Sequence, residues 1–460
     1  EGKSVTVEID FEGINNRITV LPGEAGRYQI IGAAKEGLIF LSEGSLKRFN
    51  TDTEKVETII DSVRNAILTA DGTTALYRSG NDYGVVKMMP GQKAGAGKID
   101  LSGLEMKIDP LKEWNQIFND AWRIFRDYFY VSNLHGVDWN EVKEKYGKLL
   151  PSVSHRADLD YILSEIVAES NTGHTYVEWG DFEKVKRIDN GLLGAEFEAD
   201  AAAGRYRIKK IYSGENWDIS RRSPLTEQGV DAKQGDYLIA IDGHQVTIES
   251  NLYSYLENKA GKPVEITLNS KPSGDNTRTF LIKPLSSELE LFYLDWVRER
   301  RAMVDSLSGG RIGYIHVPNT EIAGNRELFH GMYTYFNKEA LIIDDRYNGG
   351  GFIPDRMADL LERQTLAWWS RNGLEPSKSP AIAHDGPKVM LINGFSSSGG
   401  DAFPYFFKKM GLGKLIGTRT WGGLVGISGN AEFVDGGFID VPQFGVFDRD
   451  EGWIIEGIGV

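Results

Sequence analysis

The residue types best suited to chemistry in this chain of 460 residues fall in Asn393-Gly394-Phe395-Ser396-Ser397-Ser398-Gly399-Gly400-Asp401. A short apolar run, Lys388 to Ile392, precedes them, and Ala402 to Lys409 follows with bulky residues at helical spacing. Strand, sharp turn and helix are therefore the predicted order. Such a turn lifts a hydroxyl above the end of a sheet, and the glycines behind it let a substrate carbonyl approach backbone amides. That is how a serine nucleophile is presented, although an ordinary Ser/Gly-rich loop has the same composition.

A second glycine run, Gly349-Gly350-Gly351, follows the apolar strand Ala340 to Asp344. Sites in α/β cores form at strand ends, so these glycines and Ser398 are expected at one rim. A serine nucleophile also needs a base. Of the seven histidines, His174 stands out because it follows a helix in the polar, glycine-containing loop Ser170 to Tyr176. His316 lies in an apolar strand, His330 in a helix and His244 in a turn, while His135, His155 and His384 read as solvated loop or cap residues. No two histidines have metal-ligand spacing and there is no cysteine, so neither a metal nor a cofactor is expected.

The elements that must position these groups divide into four expected segments. Residues 1–100 carry short strands separated by turns (Val5 to Ile9, Ile18 to Leu21, Tyr28 to Ile31, Leu38 to Leu41, Ala66 to Leu68, Ala75 to Tyr77, Val85 to Met88), propeller-like in spacing but enough for only about two blades. Residues 105–187 carry three helices, starting at Asp109-Pro110, near Asp138 and near Arg156, the last leading to His174. The Trp and Phe stripe from Trp114 to Phe129 is core. Residues 188–285 are strand-rich, with one helix expected near Ser250 to Ala260, and residues 286–460 alternate strands and helices.

With 41% hydrophobic and 26% charged residues the chain has material for two to four domains. A net charge of -14, with no run of Lys or Arg, argues against nucleic acid as a partner. No apolar stretch approaches the roughly 20 residues of a membrane span, so no membrane insertion is expected. The chain begins Glu1-Gly2-Lys3 without an initiator methionine or signal peptide and stops at Val460 without an evident end, which reads as a fragment at both ends. The absence of cysteine is compatible with a periplasmic location.

Residues 188–285 resemble a PDZ domain, with Gly191 to Gly194 in place of the loop whose amides hold a peptide carboxylate. Three motifs then carry a wider resemblance: Asp344 to Gly351, Ser396 to Tyr405, and Gly417 to Ile427. Together they resemble the catalytic domain of the tricorn protease and, more distantly, the C-terminal processing peptidases, and the likeness extends over nearly the whole chain. It implies a multidomain α+β protein: a β-rich, propeller-like N-terminal part, a helical cap, a PDZ-like domain and an α/β core of ClpP/crotonase type. It further implies a serine peptidase acting on unfolded polypeptides or short peptides, with Ser398 as nucleophile, His174 as general base and Glu456 as the acidic member. The oxyanion hole would be formed by the amides of Gly350 and Gly399. A homohexamer and a cytoplasmic location are also implied.

Three positions depart from the family pattern. Gly173 stands where tricorn has a serine before the histidine, which leaves open whether Glu456 is reached through Thr172, a water or His174 itself. Gly399 replaces the usual aspartate after the nucleophile. Gly423 stands where the other branch carries a lysine base, which disfavours a Ser-Lys dyad. Gly173 also motivates an alternative expectation, a catalytically weak peptide-binding scaffold that works through its PDZ-like domain.

Overall fold

In the computed structural model of the chain, residues 8–18, 20–21, 23, 25–34 and 37–460 are described. They fall into two compact units, 1–108 and 109–460.

The N-terminal unit is entirely β in its regular structure apart from one 3-10 turn, Ile14–Arg17. Gln29–Ala34, Gly37–Ser42, Ser45–Asn50 and Lys55–Asp61 form a four-stranded antiparallel meander, and Asn65–Leu68, Thr74–Ser79 and Asp82–Lys87 a three-stranded one. Both sheets contribute to one core, with Ile39, Leu46, Ile59 and Ile60 from the first and Ala75, Tyr77 and Val86 from the second. Glu43 and Gly44, with φ of 54° and 70°, make the two-residue turn that matches the twist of its hairpin. A meander of four strands has the size of one propeller blade; a closed propeller is not shown. The strand expected at Val5 to Ile9 begins outside the described residues, and Ile18, Val20 and Leu21 are not in a strand.

In the second unit, helices α1 (Pro110–Tyr128), α2 (Trp139–Gly147) and α3 (Arg156–Ala168) pack through the expected stripe, burying Ile117, Phe118, Trp122 and Phe125 against Leu159, Ile162 and Leu163. The Asp138 side chain caps α2, and His155 caps α3 through a reciprocal pair with Asp158. This core is completed by Phe433, Ile439 and Val441. Arg156, almost fully buried at the start of α3, reaches Asp435 at 2.6 Å. The helices and the segment around residue 435 are thereby one packed body, and it carries the His174 loop.

The PDZ-like sheet is antiparallel in the order Arg278–Ile282, Val264–Asn269, Tyr237–Ile241, Arg205–Ile211, Ala195–Asp200, so Ala195–Asp200 is an edge strand. The helix expected at 250–260 is only a 3-10 turn, Leu252–Leu256. Glu257 turns extended and Asn258 adopts φ 55°, which ends the helix after one turn.

Helix α4 (Leu289–Ser308) leads into an all-parallel sheet of β1 (Ile312–His316), β2 (Ala340–Asp344), β3 (Lys388–Ile392) and β4 (Gly413–Gly417), side by side in that order. Helices α5 (Ile322–Thr334), α6 (Pro354–Glu362) and α7 (Gly399–Lys409) cover it, with Phe403 and Phe407 of α7 buried against Met390 and Leu361 in one cluster. Parallel strands buried on both faces read as continuous apolar runs, and β2 and β3 do. No helix among the described residues is long and apolar enough to cross a membrane.

Candidate active site

Ser398 occupies the turn between β3 and α7 with φ 57° and ψ -115°, a conformation that costs a non-glycine residue about 1–3 kcal/mol. The hydroxyl does not cap its own helix and makes no hydrogen bond among the described residues. The strain is held by neighbours. Ser396 Oγ donates to the Asp345 carbonyl at 2.8 Å, the Ser397 amide to the Asn348 carbonyl at 2.9 Å, and the Trp421 amide to the Ser396 carbonyl at 2.9 Å. Ser396 and Ser397 are thus occupied in building the turn, and Ser398 is left unengaged.

The glycine run closes over the same turn, which puts Gly350 and Ser398 at one rim as the strand order required. Gly350 has φ 84°, and a Cβ there would stand 2.7 Å from Ser398 Cβ and 2.8 Å from the Ser397 carbonyl oxygen. A Cβ on Gly399 would overlap Thr320 Oγ1 and the Gly351 carbonyl. Only glycine allows the two loops to approach this closely. The Gly399 amide has no acceptor among the described residues. The Gly350 amide donates to Asn348 Oδ1 at 2.8 Å, so for it to face a substrate oxygen that bond must be exchanged. Asn348 in turn donates to Asp345 Oδ1 at 2.8 Å, and burial pushes the Asp345 carboxyl well above the usual carboxylate range.

His174 follows α3 with φ 54°, and its ring lies beside the Trp421 ring, centroids 5.2 Å apart. Nδ1 is buried without a hydrogen-bond partner, and burial holds the imidazole below its ordinary value of 6.5. No hydrogen bond joins the ring to Ser398 Oγ among the described residues. Glu456 makes no hydrogen bond to the ring. Its Oε1 accepts from the Gly173 amide and its Oε2 from the Leu424 amide, both at 2.7 Å. Neither Thr172 nor the His174 ring is hydrogen-bonded to it; the carboxylate binds the backbone next to the histidine. Burial pushes the Glu456 pKa up, and the two amides partly offset this. A Cβ on Gly173 would come 3.1 Å from the Trp421 ring, so the glycine leaves room for the indole.

Several contributors had no signal in the sequence beyond their position. Asp401, fully buried in the first turn of α7, accepts from the Gly422 amide at 2.7 Å. The Thr320 amide donates to the Gly350 carbonyl at 2.8 Å. His135 is exposed in its loop, as expected, and there Nδ1 pairs with the Ser170 carbonyl at 3.0 Å and Nε2 with Tyr130 Oη at 2.7 Å. His384 differs from expectation: it is buried and bonded to the Lys338 carbonyl at 2.9 Å. Among the described residues no group of three or more His, Asp or Glu side chains is placed to hold a metal ion.

A strained serine above a parallel sheet, a glycine loop against it and a PDZ-like domain ahead of both define a class of protein, and comparison with known proteins narrows it. Residues 110–168 match the Tricorn protease C1 domain, 191–287 the Tricorn protease PDZ domain and 311–460 Peptidase family S41. The chain belongs to the tricorn type of this peptidase family. Among curated relatives it is 32% identical to Tricorn protease homolog 1 of Streptomyces coelicolor, over 99% of this chain and 45% of that protein. It is also 32% identical to the Tricorn protease of Thermoplasma acidophilum, over 98% of this chain and 43% of that protein. The crystal structure of the tricorn protease superposes with a TM-score of 0.82 at 28% identity, covering 92% of this chain and 41% of that one. The chain thus spans about half the length of the curated relatives it matches.

Proposed function

We propose that the chain is a serine peptidase that hydrolyses peptide bonds in short peptides or unfolded polypeptides. The observation that carries this reading is the Trp421–Leu424 segment, bonded on one side to the Ser396 carbonyl and on the other, through Glu456, to the Gly173–His174 loop. Ser398 Oγ attacks the scissile carbonyl carbon while its proton passes to His174; the tetrahedral oxyanion is received by the amides of Gly399 and Gly350. His174 then returns the proton to the departing amine. Water, deprotonated by the same imidazole, cleaves the acyl-serine ester. The lowered basicity of the buried ring keeps it neutral, hence able to accept a proton, at neutral pH. Glu456 is a positioning residue, fixing His174 through the amide before it.

The homohexamer and cytoplasmic location implied by the tricorn resemblance belong to the same proposal, and sedimentation of the full chain tests the first. One observation favours the scaffold reading: among the described residues neither Ser398 Oγ nor the His174 ring has a hydrogen-bond partner. A fluorophosphonate probe separates the two. Covalent labelling at Ser398, absent in Ser398→Ala, supports the peptidase; no labelling by either protein supports the scaffold.

A further inference from the structure

Glu288 is the residue before α4, yet its carboxylate does not cap that helix. It reaches back across the PDZ-like domain, where Oε1 accepts from the Gly194 amide at 2.6 Å. The Ala195 amide also acts on it. These amides belong to the turn that opens the edge strand Ala195–Asp200. Two other amides of the turn are engaged within the fold, Gly191 donating to the Leu256 carbonyl and Leu192 to the Leu285 carbonyl, both at 2.8 Å. Glu288 is half-buried, and the hydroxyl of Tyr253, on the short Leu252–Leu256 turn, feels its charge.

An edge strand that begins at a carboxylate-holding turn is the geometry by which a PDZ-type domain adds a peptide: the chain extends the sheet and its terminal carboxylate enters the amides. Here a carboxylate already stands there. We propose that Glu288 is a built-in competitor: its side chain occupies the amide site for a peptide C-terminus, so that a polypeptide with a free α-carboxylate binds the Ala195–Asp200 edge only by displacing Glu288. The ligand class is set by chemistry. Charge-assisted bonds to backbone amides favour a carboxylate over a neutral amide, and the open strand edge takes an extended backbone. An attached competitor acts at an effective concentration in the millimolar range, so it weakens an external peptide's apparent affinity by about tenfold or more. Displacement also frees the residue from which α4 starts, the helix that leads into β1 of the core.

The test is independent of the peptidase reading, because it is made with the full chain bearing Ser398→Ala and reads binding alone. A fluorescein-labelled decapeptide ending in Leu-Val, as free acid and as C-terminal amide, is titrated by fluorescence anisotropy. With Glu288→Ala added, the free acid is expected to bind about tenfold more tightly and the amide no better than before. Glu288→Gln, which keeps the side-chain volume, is expected to lie between. Unchanged helix content by circular dichroism shows that α4 is intact. Equal affinity for the free acid with and without Glu288, equal gains for acid and amide, or no saturable binding of either peptide by any variant up to about 1 mM would each overturn the proposal.

Discussion

The bond pattern of Glu456 makes one substitution especially informative. In Glu456→Gln the amide oxygen can keep one of the two N–H donors, from Gly173 or Leu424, but the amide nitrogen must then face the other. A hydrogen bond to a charged acceptor contributes about 1.5–3 kcal/mol. The variant no longer has to bury a charge whose pKa burial already raises, and the site is half-open to water, so a net loss of about 2 kcal/mol is expected. Spent on the position of His174, that is about a 30-fold fall in kcat with KM little changed. The distinguishing readout is the pH profile. If the carboxylate acts only through the Gly173 amide, the acid limb of kcat/KM stays where it is in the parent; if it acts on the imidazolium charge, removing it shifts the limb downward. Both are measured with a fluorogenic peptide amide from about pH 4.5 to 8.5, the range over which histidine titrates. An unchanged kcat, or an acid limb displaced by about one unit or more, would refute the backbone route.

Four further outcomes follow from the same geometry. Ser398→Ala is expected to abolish turnover while Ser397→Ala, whose hydroxyl makes only a 3.4 Å contact with the Asn348 carbonyl, keeps most of it; equal loss in both would reject the nucleophile assignment. His174 has a folded pKa below its unfolded 6.5, so the unfolded chain binds more protons between the two values. Its contribution to stability is present above about pH 6.5 and lost as pH falls toward the lower folded value, and the acid limb of activity should have its half-maximal point below pH 6.5; a half-maximal point at or above 6.5 contradicts this. Gly399→Ala should remove activity without abolishing folding, since its Cβ must push Thr320 and the Gly351 carbonyl out of place; full activity would mean that the loops are not as closely packed as described. Arg156→Ala leaves Asp435 buried and unpaired, and denaturant unfolding should show a loss of about 3–5 kcal/mol in the second unit; a loss below about 1 kcal/mol would remove the pair from the account of how the His174 body is held.

The reach of the sequence follows the range of the interactions. The Ser398 turn was readable because an apolar strand, three serines, three glycines and a periodic aromatic helix lie within about twenty residues, all local signals. The helices α1 to α3 were readable for the same reason, with caps at Asp138 and His155 marking their starts. Strands Ser45–Asn50 and Lys55–Asp61 give no clear signal because charged residues interrupt them; Arg48 is buried there with Glu57 pairing with it at 2.7 Å across the hairpin. The PDZ-like helix was overestimated because an apolar spacing at Leu252 and Leu256 says nothing of the left-handed Asn258 that stops it. The resemblance directed Glu456 toward His174, but its actual partner, the Gly173 amide, could not be read. Glu456 meets Gly173 across 283 positions and binds a backbone amide, which every residue but proline offers.

Trp421 to Leu424 is gripped from both flanks, by Asp401 at the base of the nucleophile helix and by Glu456 beneath the imidazole loop. Any ligand or neighbouring subunit that drew those four residues outward would pull alcohol and base apart together, without touching either. In the proposed mechanism the alignment of Ser398 with His174 therefore rests on a strip of main chain that has no reactive group of its own.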